Sequence, residues 1–252
     1  MANKFLLSVV IPSYNEMGNL RKGVLSKVQK YLDKQPFDYE VIIVDDGSND
    51  GSREFVKQFT KEEDKFRLIE NSHSGKAGAV TTGMLSARGE YAIFTDMDQA
   101  TPIEELENLM PYLDKGFDVV IGSRSSNRKG APWTRKVMAK SMMVLRSTIV
   151  GLSEIQDTQC GFKLFTKDAT KAIFEKAKEI HHGFKTIHGS SVTAGFDIEL
   201  LYLASEMGFK IKEVPVSWLY VETRRVSPVK DSIDGFFELF KIRRNILSGV
   251  YR

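Results

Sequence analysis

Four consecutive aliphatic residues, Val41-Ile42-Ile43-Val44, run straight into Asp45-Asp46-Gly47-Ser48. Successive side chains on a strand point to opposite faces, so a run with no polar member needs apolar cover on both sides. A chain built around such a strand is driven toward a largely parallel sheet with helices on both faces. The flanking sequence agrees. Leu7–Ile11, Phe66–Glu70, Tyr91–Thr95 and Phe117–Gly122 read as further strands, and helical spacing fills the gaps between them. It runs from Glu16 through Leu20, Val24, Leu25, Val28, Tyr31 and Leu32, then over Ser52–Phe59, Gly78–Ala87 and Glu104–Leu113. The expected fold class is α/β, with a mostly parallel central sheet flanked by helices.

In sheets of this kind functional groups collect beyond the carboxyl ends of the strands. Here those ends carry Pro12-Ser13-Tyr14-Asn15-Glu16, Asp45-Asp46-Gly47-Ser48, Asn71-Ser72-His73-Ser74-Gly75-Lys76, Asp96-Met97-Asp98 and Gly122-Ser123-Arg124. Every end is polar or charged, as a crevice requires. Asp96 and Asp98 follow the buried strand Tyr91–Thr95 and precede Pro102, which opens a helix. Two acids so close can hold a hard cation. Mg²⁺ or Mn²⁺ takes oxygen ligands and is commonly bound by one or two carboxylates plus the phosphates of a substrate. Ser74-Gly75-Lys76-Ala77-Gly78 matches neither the P-loop nor the Gly-x-Gly-x-x-Gly spacing, so neither an NTPase nor a dinucleotide enzyme is indicated. Lys76 can still serve as a point charge on a diphosphate.

Composition narrows the remaining classes. The 252 residues suffice for one large domain, and 36 basic against 33 acidic residues argue against a protein that coats nucleic acid. Any anion-binding surface must be local. A single cysteine, Cys160, excludes an internal disulfide and a cysteine zinc cluster and reads as a buried apolar group. No run approaches the roughly 18 apolar residues of a membrane helix, so contact with lipid is expected to be peripheral or through a partner.

The second half is less regular. A polar stretch over 125–132 reads as a flap, and Arg135–Val150 has one apolar helical face. Gly161, inside Asp157-Thr158-Gln159-Cys160-Gly161-Phe162-Lys163, suits close backbone approach. Asp197 and Glu199 open a helix, where cap and first-turn acids are also favoured. His181, His182 and His188 lack metal-ligand spacing and are assigned to solvent. Glu213–Trp218 reads as an edge strand, since it contains Pro215. The tail 233–252 sets Phe236, Phe237, Leu239, Phe240, Ile242, Ile246 and Leu247 beside Lys241, Arg243 and Arg244. Such a basic amphipathic helix suits a membrane surface or docking onto the domain.

Val10-Ile11-Pro12-Ser13-Tyr14-Asn15-Glu16, Val44-Asp45-Asp46-Gly47-Ser48-x-Asp50-Gly51 and Asp96-x-Asp98, in this order, resemble the family 2 glycosyltransferases of the GT-A fold. Asp157–Lys163 and Phe196–Leu201 are most similar to the polyprenyl-phosphate branch, and within it to the dolichyl-phosphate glucosyltransferases. The resemblance spans about residues 5–235. It implies one GT-A domain over 1–232, with a nucleotide-sugar half (1–124) and an acceptor half (125–232), followed by the helix at 233–252. It also implies donor contacts from Pro12, Tyr14, Glu16, Asp45, Asp46, Lys76, Asp96, Met97 and Arg124. The metal, Mg²⁺ or Mn²⁺, would sit on Asp96, Asp98 and Gln99. Gln159, Arg224, Arg225 and Lys230 would meet the acceptor, and Asp98, Asp157 and Asp197 are the candidate catalytic acids. Asp157 and Asp197 are expected to position acceptor or sugar rather than act as an obligatory base.

The implied reaction is inverting transfer of a hexose, with glucose from UDP-glucose foremost, to a polyprenyl or dolichyl monophosphate. It would take place peripherally on the cytoplasmic face of a membrane, directly or through an integral membrane partner. The alternatives are a family 2 enzyme using GDP-mannose or a carbohydrate acceptor, and a non-catalytic nucleotide-sugar binding subunit.

Overall fold

The computed structural model describes residues 6–124, 147, 149–184, 195–219 and 228–251, and the side chains of all of these except 228–235. Among them, seven strands form one sheet: β1 (Leu6–Ser13), β2 (Asp38–Asp45), β3 (Phe66–Glu70), β4 (Tyr91–Thr95), β5 (Val119–Ser123), β6 (Phe162–Thr166) and β7 (Ile211–Pro215). Their order is β3-β2-β1-β4-β6-β5-β7. All neighbours are parallel except β6, which runs antiparallel to both β4 and β5.

The aliphatic run of β2 is buried on both faces, as its pattern demands. Ile42 and Val44 join the layer that contains Val80 and Met84 of α4 (Gly75–Leu85), Ile173 and Phe174 of α6 (Lys167–Ile180), and Leu200 and Leu203 of α7 (Phe196–Glu206). Val41 and Ile43 join the opposite layer, with Leu25 and Val28 of α2 (Val24–Leu32), Val56 of α3 (Ser52–Glu62) and Leu109 of α5 (Leu106–Leu113). Removing each such side chain from water contributes about 1.5–3 kcal/mol, so this strand alone anchors both layers.

Several boundaries differ from the sequence expectation, each for an identifiable reason. The helix expected from Glu16 divides into α1 (Met17–Leu20) and α2, because Gly23 takes φ 72°. Strand β1 runs on through Pro12, which pairs with Val44. Pairing of β1 with β4 stops at Val10, so Pro12 lies where one flank of the strand is unpaired by its neighbour. Pro102 stays extended and precedes a short 3₁₀ turn, Ile103–Glu105. Strand β6 went unrecognised. Strand β7 starts at Ile211, two residues before the expected edge strand, and does lie at the sheet edge. The last helix, α8 (Pro228–Leu247), lays Leu239 and Ile242 into the same apolar layer as α4, α6 and α7.

Candidate active site

The antiparallel insertion of β6 builds the centre of the site. Thr95 pairs with Phe162, so the next residues outward, Asp96 and Gly161, meet at the mouth of the sheet. A Cβ on Gly161 would lie 2.0 Å from Asp96 Oδ2, so only glycine leaves the carboxylate this place. Asp96 Oδ1 lies 2.5 Å from Lys76 Nζ, which projects from the first turn of α4. Burial opposes the Lys76 charge, but Asp96, Asp197 and Asp98 together hold its pKa above the usual lysine range. Asp98 Oδ1 accepts a hydrogen bond from the Ala100 amide (3.0 Å). Burial, and then the neighbouring Asp96 charge, push the Asp98 carboxyl upward. Gln99, at φ 49°, donates from Nε2 to the Asp96 carbonyl (2.9 Å) and Thr95 Oγ1 (3.2 Å), while its Oε1 is buried with no hydrogen bond.

Two further acid–base pairs flank this centre. Arg124, just past β5, reaches Asp157 with Nε (2.7 Å) and a terminal nitrogen (2.8 Å), and its amide donates to the same carboxylate (2.9 Å). Burial works against the Asp157 charge, yet the hydrogen bonds and field of Arg124 prevail and hold its carboxyl at about 2. Lys163, fully buried on β6, places Nζ 2.5 Å from Asp197 Oδ1 and 2.5 Å from the Cys160 carbonyl. It therefore ties the loop before β6 to the start of α7.

On the other side, β2 ends in two acids with different tasks. Asp45 Oδ1 accepts from the Gly47 and Ser48 amides (3.2 and 3.1 Å) and from Arg53 Nε (2.9 Å), which shapes the turn. Asp46 reaches across to α4 and accepts from the Ser74 and Gly75 amides (2.8 and 2.7 Å). It thereby satisfies donors that the start of a helix leaves open. His73 Nδ1 faces two acceptors, the Asp46 carbonyl (2.8 Å) and Oδ2 (3.0 Å), so that nitrogen carries the proton. Its ring stacks on Tyr14 at 4.4 Å.

The family model for glycosyl transferase family 2 matches residues 8–187, which include every one of these pairs except the Asp197 end. The chain belongs to glycosyl transferase family 2. Among curated relatives of this glycosyltransferase, the dolichyl-phosphate beta-glucosyltransferase of Saccharomyces cerevisiae is 34% identical over 99% of this chain and 77% of its own length. The human protein of the same name is 32% identical over 98% of this chain and 77% of its own. Solved structures share the fold at low identity. Mannosyl-3-phosphoglycerate synthase from Rubrobacter xylanophilus superposes with TM-score 0.66 at 16% identity, covering 97% of this chain and 75% of that one. Glucosyl-3-phosphoglycerate synthase from Mycobacterium tuberculosis, solved with Mn²⁺, UDP and glucosyl-3-phosphoglycerate, gives 0.62 at 17%, covering 94% and 80%. The glycosyltransferase therefore has the GT-A fold read from its motifs.

Of the residues the sequence singled out in this family 2 enzyme, Lys76, Asp96, Asp98, Gln99, Arg124, Asp157 and Asp197 converge on the end of the sheet where β4 and β6 meet. Tyr14, Asp45 and Asp46 line the adjoining end of β1 and β2. Pro12 lies within β1, and Glu16 accepts from Asn19 Nδ2. Met97 turns its side chain into the core at 2% exposure. Gln159 is described, its amide 3.3 Å from Asp157 Oδ1. Arg224, Arg225 and His188, the stretch 125–132 and nearly all of 135–148 lie outside the described residues, as does the Lys230 side chain. Cys160 is buried as expected.

His181 departs from its assignment to solvent: its Nε2 pairs with Glu199 Oε2, and Glu199 Oε1 accepts from Tyr251 (2.6 Å). Sequence reasoning also passed over His73 and Lys163. For His73 the available signal was its position after β3, three residues before Lys76. For Lys163 the signal was its place at the end of the Asp157–Lys163 segment, and it pointed to no role because a lone lysine is ordinarily exposed.

Proposed function

We propose that this glycosyltransferase moves a hexose, glucose from UDP-glucose, to the phosphate of dolichyl or another polyprenyl monophosphate, with inversion at the sugar. The observation that carries the reading is the run of relatives named dolichyl-phosphate beta-glucosyltransferase, 31–35% identical over nearly the whole chain. The acid–base geometry supports a phosphate acceptor. A carboxyl held at about 2 by a bidentate arginine is a poor proton acceptor at neutral pH, and Asp197 is already engaged by Lys163. A phosphate monoester has a second pKa of about 6 and arrives ionised, so it needs no such base. Asp157 and Asp197 would then orient Arg124, Lys163 and their loops around the reacting groups.

The donor set fits a divalent cation. Asp96 and Asp98 offer hard oxygens, Gln99 Oε1 is a buried acceptor without a donor, and burial beside Asp96 leaves Asp98 needing positive charge. Among the described residues no group of three or more His, Cys, Asp or Glu side chains could hold a metal, so a diphosphate would have to supply further ligands. When bound, Mg²⁺ or Mn²⁺ would act as a Lewis acid that offsets charge on the departing nucleoside diphosphate. Lys76 would supply fixed positive charge to the same group, and Tyr14, His73 and Asp46 would shape the nucleoside end.

Among the described residues no helix is long and apolar enough to cross a membrane; the lipid-linked acceptor is proposed to be met peripherally, at a cytoplasmic face. The test is a donor panel of UDP-glucose, UDP-galactose and GDP-mannose with a short polyprenyl phosphate and Mg²⁺ or Mn²⁺, followed by analysis of the product linkage. Beta-glucosyl phosphate formed only from UDP-glucose and abolished by EDTA is expected. Transfer to a saccharide alone, or full turnover in chelator, would sink the reading.

A further inference from the structure

Helix α8 has two apolar faces, and the fold uses only one. Leu239 and Ile242 point inward at 0 and 2% exposure, with Ile246 packed beside them. On the outer side Phe236, Phe240, Arg243 and Leu247 fall at i, i+4, i+7 and i+11, one stripe along the helix. Phe237, Lys241 and Arg244 form the stripe beside it. The exposures are high, 67% for Phe237 and 73% for Leu247. Five of the eight exposed large apolar side chains among the described residues lie here: Phe236, Phe237, Phe240, Leu247 and, in the following turn, Val250. The rings of Phe236 and Phe240 contact each other at 4.7 Å. Docking onto the domain therefore accounts for the inner face and leaves the outer one unexplained.

We propose that the outer face of α8 binds an anionic lipid surface, with the aromatic and aliphatic side chains at the acyl boundary and Lys241, Arg243 and Arg244 among the headgroups. Charge complementarity selects this occupant. Lys241, Arg243 and Arg244 border an exposed stripe of Phe236, Phe240 and Leu247, the arrangement of a helix that lies in the headgroup plane with its apolar side chains at the acyl boundary. Of the three acids on α8, Asp231 and Asp234 precede Phe236, and Glu238 lies against Gly195, at the start of α7 and two residues from Asp197, with its carboxylate 3.8 Å from Lys241 Nζ, so residues 236–251 carry three basic side chains against one acid. Tyr251, just past α8, is fastened to α7 through Glu199. The lipid-facing helix is thus packed against the helix that carries Asp197. Its use, presenting the site to an acceptor headgroup, rests on the lipid-acceptor reading above, whereas the surface itself follows from exposure and charge.

The test is co-sedimentation of the full chain with protein-free vesicles of phosphatidylcholine, with and without one third phosphatidylglycerol. Binding to the anionic vesicles is expected, weakened about fivefold for each of Lys241→Gln, Arg243→Gln and Arg244→Gln, since each basic group near such a surface counts for that much. Phe237→Ser with Phe240→Ser is expected to lower partitioning at least tenfold. Because both side chains point outward, thermal unfolding and turnover of a detergent-dispersed, short-chain polyprenyl phosphate should be unchanged. Equal binding by wild type and these variants, no binding to anionic vesicles, or conversion of a stable dimer to monomer by Phe237→Ser with Phe240→Ser would overturn the proposal. Vesicle binding without glucosyl transfer would leave it standing and refute the acceptor reading instead.

Discussion

Replacing Gly161 with alanine adds one methyl group where the structure has least room for it. The new Cβ would stand 2.0 Å from Asp96 Oδ2, 2.6 Å from Cγ and 2.8 Å from Oδ1. Ordinary contact begins at 3.4 Å, so the carboxylate has to retreat by about 1.4 Å. Gly161 does not have a positive φ, so its backbone accepts alanine without strain. The Asp96 side chain is 36% exposed and can swing outward, which keeps the steric cost small. Alanine also narrows the unfolded ensemble by about 0.4–1 kcal/mol, so net stability should stay within about 1 kcal/mol of wild type.

Catalysis has no such latitude. A displacement of about 1 Å in a reacting constellation can cost about 100-fold, and this one shifts a proposed metal ligand that also pairs with Lys76. The expected result for Gly161→Ala is a fall of about two orders of magnitude in turnover, with a higher Mn²⁺ concentration for half activity. It is read by steady-state transfer at varied metal, with thermal unfolding as the control. Wild-type turnover and metal response in a folded variant would refute the placement of Asp96 at the reacting centre.

Other outcomes follow from the same contacts. Lys163→Met strands the Asp197 carboxylate and should cost about 3–5 kcal/mol in urea unfolding, while Lys163→Met with Asp197→Asn recovers most of the loss. The Asp157 carboxyl drops from its ordinary 3.8 to about 2 on folding, so its pairing with Arg124 stabilises fully above about pH 4 and is lost as pH falls through 2. This group contributes about 2 kcal/mol, and Asp157→Asn should remove that component from the acid limb of the stability–pH curve. Tyr251→Phe takes a hydrogen bond from the buried Glu199 carboxylate and should lower stability by about 1–3 kcal/mol, measured by thermal unfolding, with little change in donor KM.

Local patterns were enough to read the class of sheet, the face-to-face burial of Val41–Val44 and the end of the sheet where polar groups gather. Strand periodicity depends on adjacent residues, and the crevice at the strand ends follows from how parallel strands are connected. Gly161 was legible as a site of close approach, though not what approached it. The tertiary structure alone decided the partnerships. Asp46 satisfies the start of a helix 29 residues away and so begins α4 earlier than its own sequence suggests. Strand β6 slides between β4 and β5 to bring Gly161 onto Asp96, Lys163 selects Asp197 from 34 residues away, and His181 leaves solvent for Glu199. Pairings across such separations leave no periodic trace in the chain, because they depend on which strand edges and helix ends meet once the layers pack.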